Sequence, residues 1–202
     1  SGWLSLSPGL FAFAGRSPLL SLECYRNQEP VRVNDLEREF FRSLRRICNM
    51  ARQPLPPKPK QLLHPFTIES IEFFRRRTRN QRFLWKRLVN AESAVVPKER
   101  IVLLSTLNRA DIAEEAAHYA RLWNVQTAAF GPRRTALEEA LAFLASTWIV
   151  PDRRVPKKSE IHSKWEAIHV AGYRVGKRLG QKWRTSERAR KVLRGIWNSG
   201  SW

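Results

Sequence analysis

Apolar residues recur at every third or fourth position over residues 34–52, which predicts an amphipathic helix. Its apolar face consists of Leu36, Phe40, Leu44, Ile47 and Ala51. Asn34 stands where a helix cap is needed. Residues 1–33 show no such period, and we expect them to form an extended N-terminal segment. Residues 53–66 contain five prolines, which predicts a stiff polyproline-II spacer between this helix and the rest of the chain.

Helical periodicity returns after the proline-rich segment, and residues 67–150 are predicted to form a helical core. One helix is predicted to start at Pro97 and to continue to Leu107. Two more are expected to begin near Asp111 and Thr135, each with an acidic residue three positions on. Short connections favour antiparallel neighbours. The predicted fold is therefore all-α, a small antiparallel helical bundle with long basic helices and extended, proline-rich termini and linkers.

Residues 151–202 are predicted to form a basic C-terminal helical region. Its longest helix should follow Ser159 and carry a continuous apolar stripe to Trp183, with a last helix near 185–197. Glycine recurs every four residues in this helix, at Gly172, Gly176 and Gly180. Each glycine costs a soluble helix about 1 kcal/mol relative to alanine. We therefore expect a neighbouring helix to approach closely along this line.

The charge is large and unevenly distributed. The formal net charge is +19, and Arg supplies 27 of the 37 basic residues. Residues 98–150 are neutral in sum, whereas 151–202 carry a net +10. Guanidinium groups grip phosphate oxygens in a bidentate way, and a basic surface gains affinity for a polyanion by releasing counterions. A hydrophobic content of 43% excludes a disordered polycation, so we predict a folded protein with a nucleic-acid partner.

Two helical faces are predicted to lie along RNA phosphates. No Asp or Glu occurs in 75–87 or in 167–186, so neither face has acidic partners one helical turn away that would neutralise it. The predicted RNA-binding residues are Arg75, Arg76, Arg79, Arg82, Lys86, Arg87, Arg153, Arg154, Lys157, Lys158, Arg174, Lys177, Arg178, Lys182, Arg188, Arg190, Lys191 and Arg194. Such contacts position a protein on RNA without selecting a base sequence.

Two Glu-x-x-His pairs, Glu115 with His118 and Glu166 with His169, raise the hypothesis of a carboxylate-bridged di-metal site. Ferritin-like di-iron bundles use this pair on two helices, together with Glu from the others. The apolar arc of each helix argues against it, because Glu115, His118 and Glu166 fall outside that arc, where side chains face solvent. Glu139 lies about a turn from the required depth. The sequence therefore predicts no metal, no cofactor and no catalytic residue.

Cysteine content and hydropathy restrict the cellular context. Cys24 and Cys48 are the only cysteines, which supports neither a zinc site nor a disulfide framework and favours two thiols in a reducing compartment. Apolar runs such as Leu10 to Ala14 are far short of the roughly 20 residues that span a bilayer. No transmembrane segment is expected.

The first 22 residues are rich in Ser and Leu with Arg16 as their one charge, which is typical of a processed organellar transit region.

In composition and organisation the chain resembles the lineage-specific proteins of mitochondrial ribosomes, with a small helical core, Arg-rich faces, proline-stiffened linkers and long irregular termini. This resemblance implies a structural, non-enzymatic role in the mitochondrial matrix. The implied partners are ribosomal RNA and neighbouring ribosomal proteins, with no small-molecule substrate. One alternative is an accessory subunit of a respiratory or ATP synthase complex, where the basic faces meet anionic lipid or acidic subunits. A third is a di-metal or RNA-processing enzyme.

Overall fold

Five packed helices and a small three-stranded sheet make up the part of the chain that the structure describes. A computed structural model describes residues 33–63, 93–96, 100–104, 108–124, 131–157, 159, 161 and 164–199. The helices are α1 (Val33–Ala51), α2 (Arg109–Leu122), α3 (Pro132–Ser146), α4 (Lys164–Thr185) and α5 (Glu187–Asn198). The strands are β1 (Gln61–Leu63), β2 (Ser93–Val96) and β3 (Ile101–Leu104). The predicted helical fold class is confirmed, while the predicted N-terminal segment and the helix expected after Thr67 lie outside the described residues.

Helix α1 has the bounds and the buried face that its periodicity predicts. It ends where Arg52 takes a positive φ of 57°, and the Gln53 amide then donates to the Cys48 carbonyl at 3.0 Å. This pattern satisfies the last helical carbonyls. The following proline-rich segment was predicted to separate α1 from the rest of the chain, but α1 packs against α2. The segment itself also contacts α2, where the Tyr119 hydroxyl donates to the Pro57 carbonyl at 3.0 Å.

The helix predicted from Pro97 to Leu107 is wrong over its central residues, which form β3. This strand pairs antiparallel with β2 and parallel with β1, so the sheet order is β1-β3-β2. Arg100, with a positive φ of 53°, lies in the connection between β2 and β3. A short run such as Ile101–Leu104 fits a buried helix or strand equally well by its pattern. Pairing with the adjacent β2 and with β1, which is distant in the sequence, decides the outcome.

The three glycines of α4 lie against α3, where a helix was expected to approach. A Cβ atom built on Gly172 would lie 2.5 Å from the Ala136 carbonyl oxygen, and one on Gly176 would lie 2.4 Å from that of Ala140. A Cβ atom on Gly180 would lie 2.6 Å from the side-chain Oγ1 of Thr147, the residue after α3. Contacts at rising numbers on both helices mean that α3 and α4 run parallel.

Helices α2 and α3, in contrast, run antiparallel. Arg121 near the end of α2 bonds Glu138 in the first half of α3 at 2.9 Å. At the opposite end, Asp111 lies 3.4 Å from Arg153, which follows α3 in the chain. Capping explains the start of α2 at Arg109, because the Asn108 side chain accepts from the Ala110 amide at 3.0 Å.

Aromatic residues from α4, α5 and the end of α3 close the apolar core. The Trp148 ring lies 4.4 Å from that of Trp183 and 5.6 Å from that of Trp197, centroid to centroid. All three indoles are buried, so α5 is held to the bundle by its own tryptophan. Among the described residues, no helix combines the length and the apolar character that crossing a membrane requires.

Candidate metal centre

Helix α2 buries its polar residues as well as its apolar ones. Glu114, Glu115 and His118 are all 2% exposed or less, because α1, α3 and the strands β2 and β3 all pack against α2. The sequence pattern placed Glu115 and His118 toward solvent, and that prediction is wrong. A helix with neighbours on several sides has no solvent face to which polar residues can be assigned.

Three buried side chains from α2 and α3 converge on one point. Glu114 and His118 stand one helical turn apart on α2, and Glu139 comes from α3. Each offers a carboxylate oxygen or an imidazole nitrogen, and these three atoms lie within 4.8 Å of one another. Two ligands about 2.1 Å from one ion are at most about 4.2 Å apart. Small side-chain movements are enough to bring this set around a single cation.

Glu139 lies between two imidazoles from different helices. Its Oε2 is 3.6 Å from His118 Nε2, and its Oε1 is 3.5 Å from His169 Nδ1. His169 is a buried residue of α4. Both separations exceed the roughly 2.7–3.2 Å of a hydrogen bond to nitrogen. They are near the roughly 3.0–3.4 Å between neighbouring ligands of one ion when each bond is about 2.1 Å.

The carboxylates control protonation in this interior. Burial by itself would lower the pKa of His118, but Glu139, with help from Glu115 and Glu114, raises this pKa from 6.5 to about 9. Burial by itself would raise the pKa of Glu139, but His118 and His169 bring it below its usual value. The interior therefore favours positive charge beside Glu139, which a proton or a metal ion can supply.

Arg153 fixes the position of Glu114 from the chain segment after α3. Its guanidinium forms an ion pair with the Glu114 carboxylate and stacks over the rings of Phe143 at 4.7 Å and Tyr173 at 5.5 Å. The Arg153 side chain is only 9% exposed. Arg153 was predicted to bind RNA, but these intramolecular contacts already occupy its guanidinium.

In the cluster of Glu114, His118 and Glu139, two carboxylate oxygens lack a hydrogen bond of normal geometry within the described structure. These are Glu114 Oε1 and Glu139 Oε1. A buried, unsatisfied carboxylate oxygen is costly. Tyr173 lies near both carboxylates, and its pKa is raised well above the ordinary value by burial and by the negative charge of Glu114 and Glu139. The arrangement is therefore rich in acceptors for a cation.

The sequence contained a signal for this site, in the spacing Glu115-x-x-His118 and Glu166-x-x-His169. The sequence did not reveal the role of Glu114, whose carboxylate lies close to Glu139 and His118. Glu166, which the sequence did indicate, is half-buried and stands one turn before His169. Since Glu139 sits within reach of both histidines, the depth argument against it also fails.

The remaining predicted RNA-binding residues fall into three groups by position. Those with exposed side chains are Arg154, Lys157, Arg174, Lys177, Arg178, Lys182, Arg188 and Lys191. Those outside the described residues are Arg75, Arg76, Arg79, Arg82, Lys86, Arg87 and Lys158. Arg190 and Arg194 are half-buried, and their Nε atoms donate to the carbonyls of Trp183 at 2.8 Å and Met50 at 2.9 Å. These two arginines join helices together, with only part of each side chain facing outward.

Comparison of the chain with protein-family models, curated proteins and solved structures found no match. Any functional proposal therefore rests on the residues and their geometry.

Proposed function

We propose that this protein is a metalloprotein whose helical core binds iron or manganese. The observation that carries the proposal is the convergence of Glu114, His118 and Glu139 within 4.8 Å in a buried interior. A carboxylate cluster without compensating charge is unfavourable in such an environment. A bound cation supplies that charge at the point on which the ligand atoms converge.

The donor types favour iron or manganese over a structural zinc ion. Structural zinc sites are mostly built from Cys thiolates with or without His, whereas this cluster offers carboxylate oxygens and imidazole nitrogens. Cys48 lies in the apolar core with Leu44 and Ile47. Carboxylates and imidazoles suit iron and manganese, and Glu with Glu-x-x-His pairs from helices is the ligand set of di-iron and di-manganese bundles.

A buried ion-pair network without metal is the competing explanation, and metal analysis separates the two. We expect the purified full chain, loaded with Fe(II) without oxygen and freed of excess metal, to retain stoichiometric iron. The isosteric Glu139→Gln variant should lose most of it. Glu138→Gln is the matched control, because Glu138 immediately precedes Glu139, is equally buried and is paired with Arg121 instead. No retained iron in the wild type, or equal iron in both variants, would reject the proposal.

A second proposal is supported by the outer face of α4 and concerns binding of RNA. Arg174, Lys177, Arg178 and Lys182 are all exposed on one helix, with no carboxylate between residues 167 and 186. Uncompensated positive charge repels itself unless a polyanion neutralises it. Assembly into a mitochondrial ribosome is proposed for this surface on the compositional resemblance. A metal centre in the core and RNA on the surface do not compete for any residue.

Salt dependence tests the surface proposal. Replacing Arg174 and Arg178 by Gln should weaken binding to unrelated RNA sequences and reduce the slope of log affinity against log salt by about one unit per lost phosphate contact. Unchanged RNA affinity would remove α4 from the interface. Binding that moves instead to anionic vesicles would favour the alternative of a membrane-associated complex.

A further inference from the structure

Glu139 is placed to serve two metal ions rather than one. Its two carboxylate oxygens face different histidines, Oε2 toward His118 of α2 and Oε1 toward His169 of α4, at 3.6 and 3.5 Å. The two nitrogens approach opposite oxygens from two separate helices. This arrangement allows each oxygen of Glu139 to bind its own ion beside its own histidine.

Each histidine also has its own carboxylates on its own helix. Glu115 stands three residues before His118, and Glu166 stands three residues before His169, so each pair lies on the same side of its helix. Glu114 adds a further oxygen on the α2 side, within the same 4.8 Å set as His118 and Glu139. On the α4 side Glu166 precedes His169 by one turn, and Glu139 of α3 lies between His169 and His118.

The close contact of α3 with α4 makes this arrangement possible. Gly172, one turn after His169, allows the α4 backbone to approach the Cβ of Glu139, because an added Cβ at Gly172 would lie 2.7 Å from it. Any larger residue at this position would hold the two helices farther apart. Gly172 therefore allows His169 to come close to the carboxylate of Glu139.

We infer that the centre is dinuclear, with one ion held by Glu114 and His118, a second by Glu166 and His169, and Glu139 bridging the two. This inference rests on the proposed function, since it describes how many ions the same site takes. Glu115 lies beside the first ion and completes the carboxylate set. Two ions that share a carboxylate in this way lie about 3.5–4 Å apart.

Metal stoichiometry and magnetic coupling of the full chain test the inference, with Mn(II) and Fe(II) as the probes. After anaerobic loading and removal of excess metal, we expect about two ions per chain by mass spectrometry. Two Mn(II) ions that share a bridge are exchange-coupled, so the wild-type protein should show the electron paramagnetic resonance spectrum of a coupled pair. The His169→Gln variant should retain one ion per chain and show an isolated Mn(II) spectrum, while Glu138→Gln keeps the coupled pair.

The outcomes distinguish the two proposals. One ion per chain in the wild type, unchanged by His169→Gln, overturns the dinuclear inference and leaves the mononuclear metal site intact. No stoichiometric metal overturns both. If His169→Gln does not fold, as judged by circular dichroism, the wild-type spectrum alone decides, because an isolated Mn(II) signal at full loading contradicts a shared bridge.

Discussion

Helices α1 and α2 pack against each other but divide their residues between core and surface in opposite ways. In α1 the residues Leu36, Phe40 and Leu44 are buried and the arginines of the opposite face are exposed. In α2 nearly every residue from Ile112 to Leu122 is buried, whether apolar or ionisable. The first helix covers the edge of the bundle, while the second runs through its interior.

The difference shows where a hydrophobic pattern is informative. For a helix with one buried face, the polar residues mark the solvent side, and α1 follows that rule. For a helix with neighbours on several sides, the polar residues must be satisfied inside the protein. In α2 these are two carboxylates and an imidazole, which is why the interior of this protein is chemically distinct from its edge.

Truncation of the apolar face of α1 should produce the largest loss of stability. Phe40 is fully buried, and its ring lies 6.1 Å from that of Tyr119 on α2. We expect Phe40→Ala to lower the free energy of unfolding by about 3–5 kcal/mol through lost burial and an unfilled cavity. Arg45→Gln on the exposed face is the control and should change it by less than about 0.5 kcal/mol. Urea denaturation measures both, and similar losses would contradict the one-sided burial of α1.

The interior of α2 should give the metal-free protein a distinctive pH dependence. The pKa of His118 is about 9 in the folded state against 6.5 for an ordinary histidine. Because the folded-state pKa is the higher one, its stabilisation is complete below about pH 6.5 and is lost as the pH rises toward 9. We expect a decrease on the order of 2–3 kcal/mol in the free energy of unfolding over this interval.

The control for this pH effect is His118→Gln, in which the slope between pH 6.5 and 9 should flatten. Loading with metal should also flatten it, since a metal-bound imidazole is already deprotonated. An identical slope in the wild type and in His118→Gln would show that the histidine is not coupled to Glu139. Helices α1 and α2 would then differ in how deeply they are buried but not in their electrostatic contribution to stability.

Much of the architecture follows from local signals in the sequence. Prolines, caps and helical periodicity locate α1 and the approximate extent of α2 to α5. The glycine spacing in α4 predicts a close helix neighbour, although not its parallel direction. The strand at Ile101–Leu104 was missed because a short apolar run does not reveal its pairing, either with the adjacent β2 or with β1, which is distant in the chain.

The candidate site was visible as two Glu-x-x-His pairs and was rejected on the assumption of one core face per helix. Arg153 shows the same limitation for a basic residue. A basic residue in a charged segment looks like surface, but it pairs with the buried Glu114. Which polar residues are internal depends on how many neighbours each helix acquires, and only the assembled bundle determines that number.

A smaller effect should separate two glycines that look alike in the sequence. Gly176 would place a Cβ 2.4 Å from the Ala140 carbonyl oxygen, whereas nothing lies within 4 Å of a Cβ at Gly195 in α5. We expect Gly176→Ala to destabilise the protein by about 1–3 kcal/mol through overpacking. Gly195→Ala should stabilise it by about 0.5–1 kcal/mol, because alanine is the better helix former. Thermal unfolding distinguishes the two, and stabilisation by both would contradict close packing of α3 and α4.

The central claim, that the buried polar residues of α2, α3 and α4 bind a metal ion, is tested most directly by the ligand shell of the ion. X-ray absorption of the Fe(II)-loaded full chain should show oxygen and nitrogen ligands at about 2.0–2.2 Å, with the outer-shell scattering of imidazole. That imidazole contribution should decrease in His118→Gln and remain in Glu138→Gln. An oxygen-only shell that is identical in all three proteins would place the iron elsewhere and contradict the account.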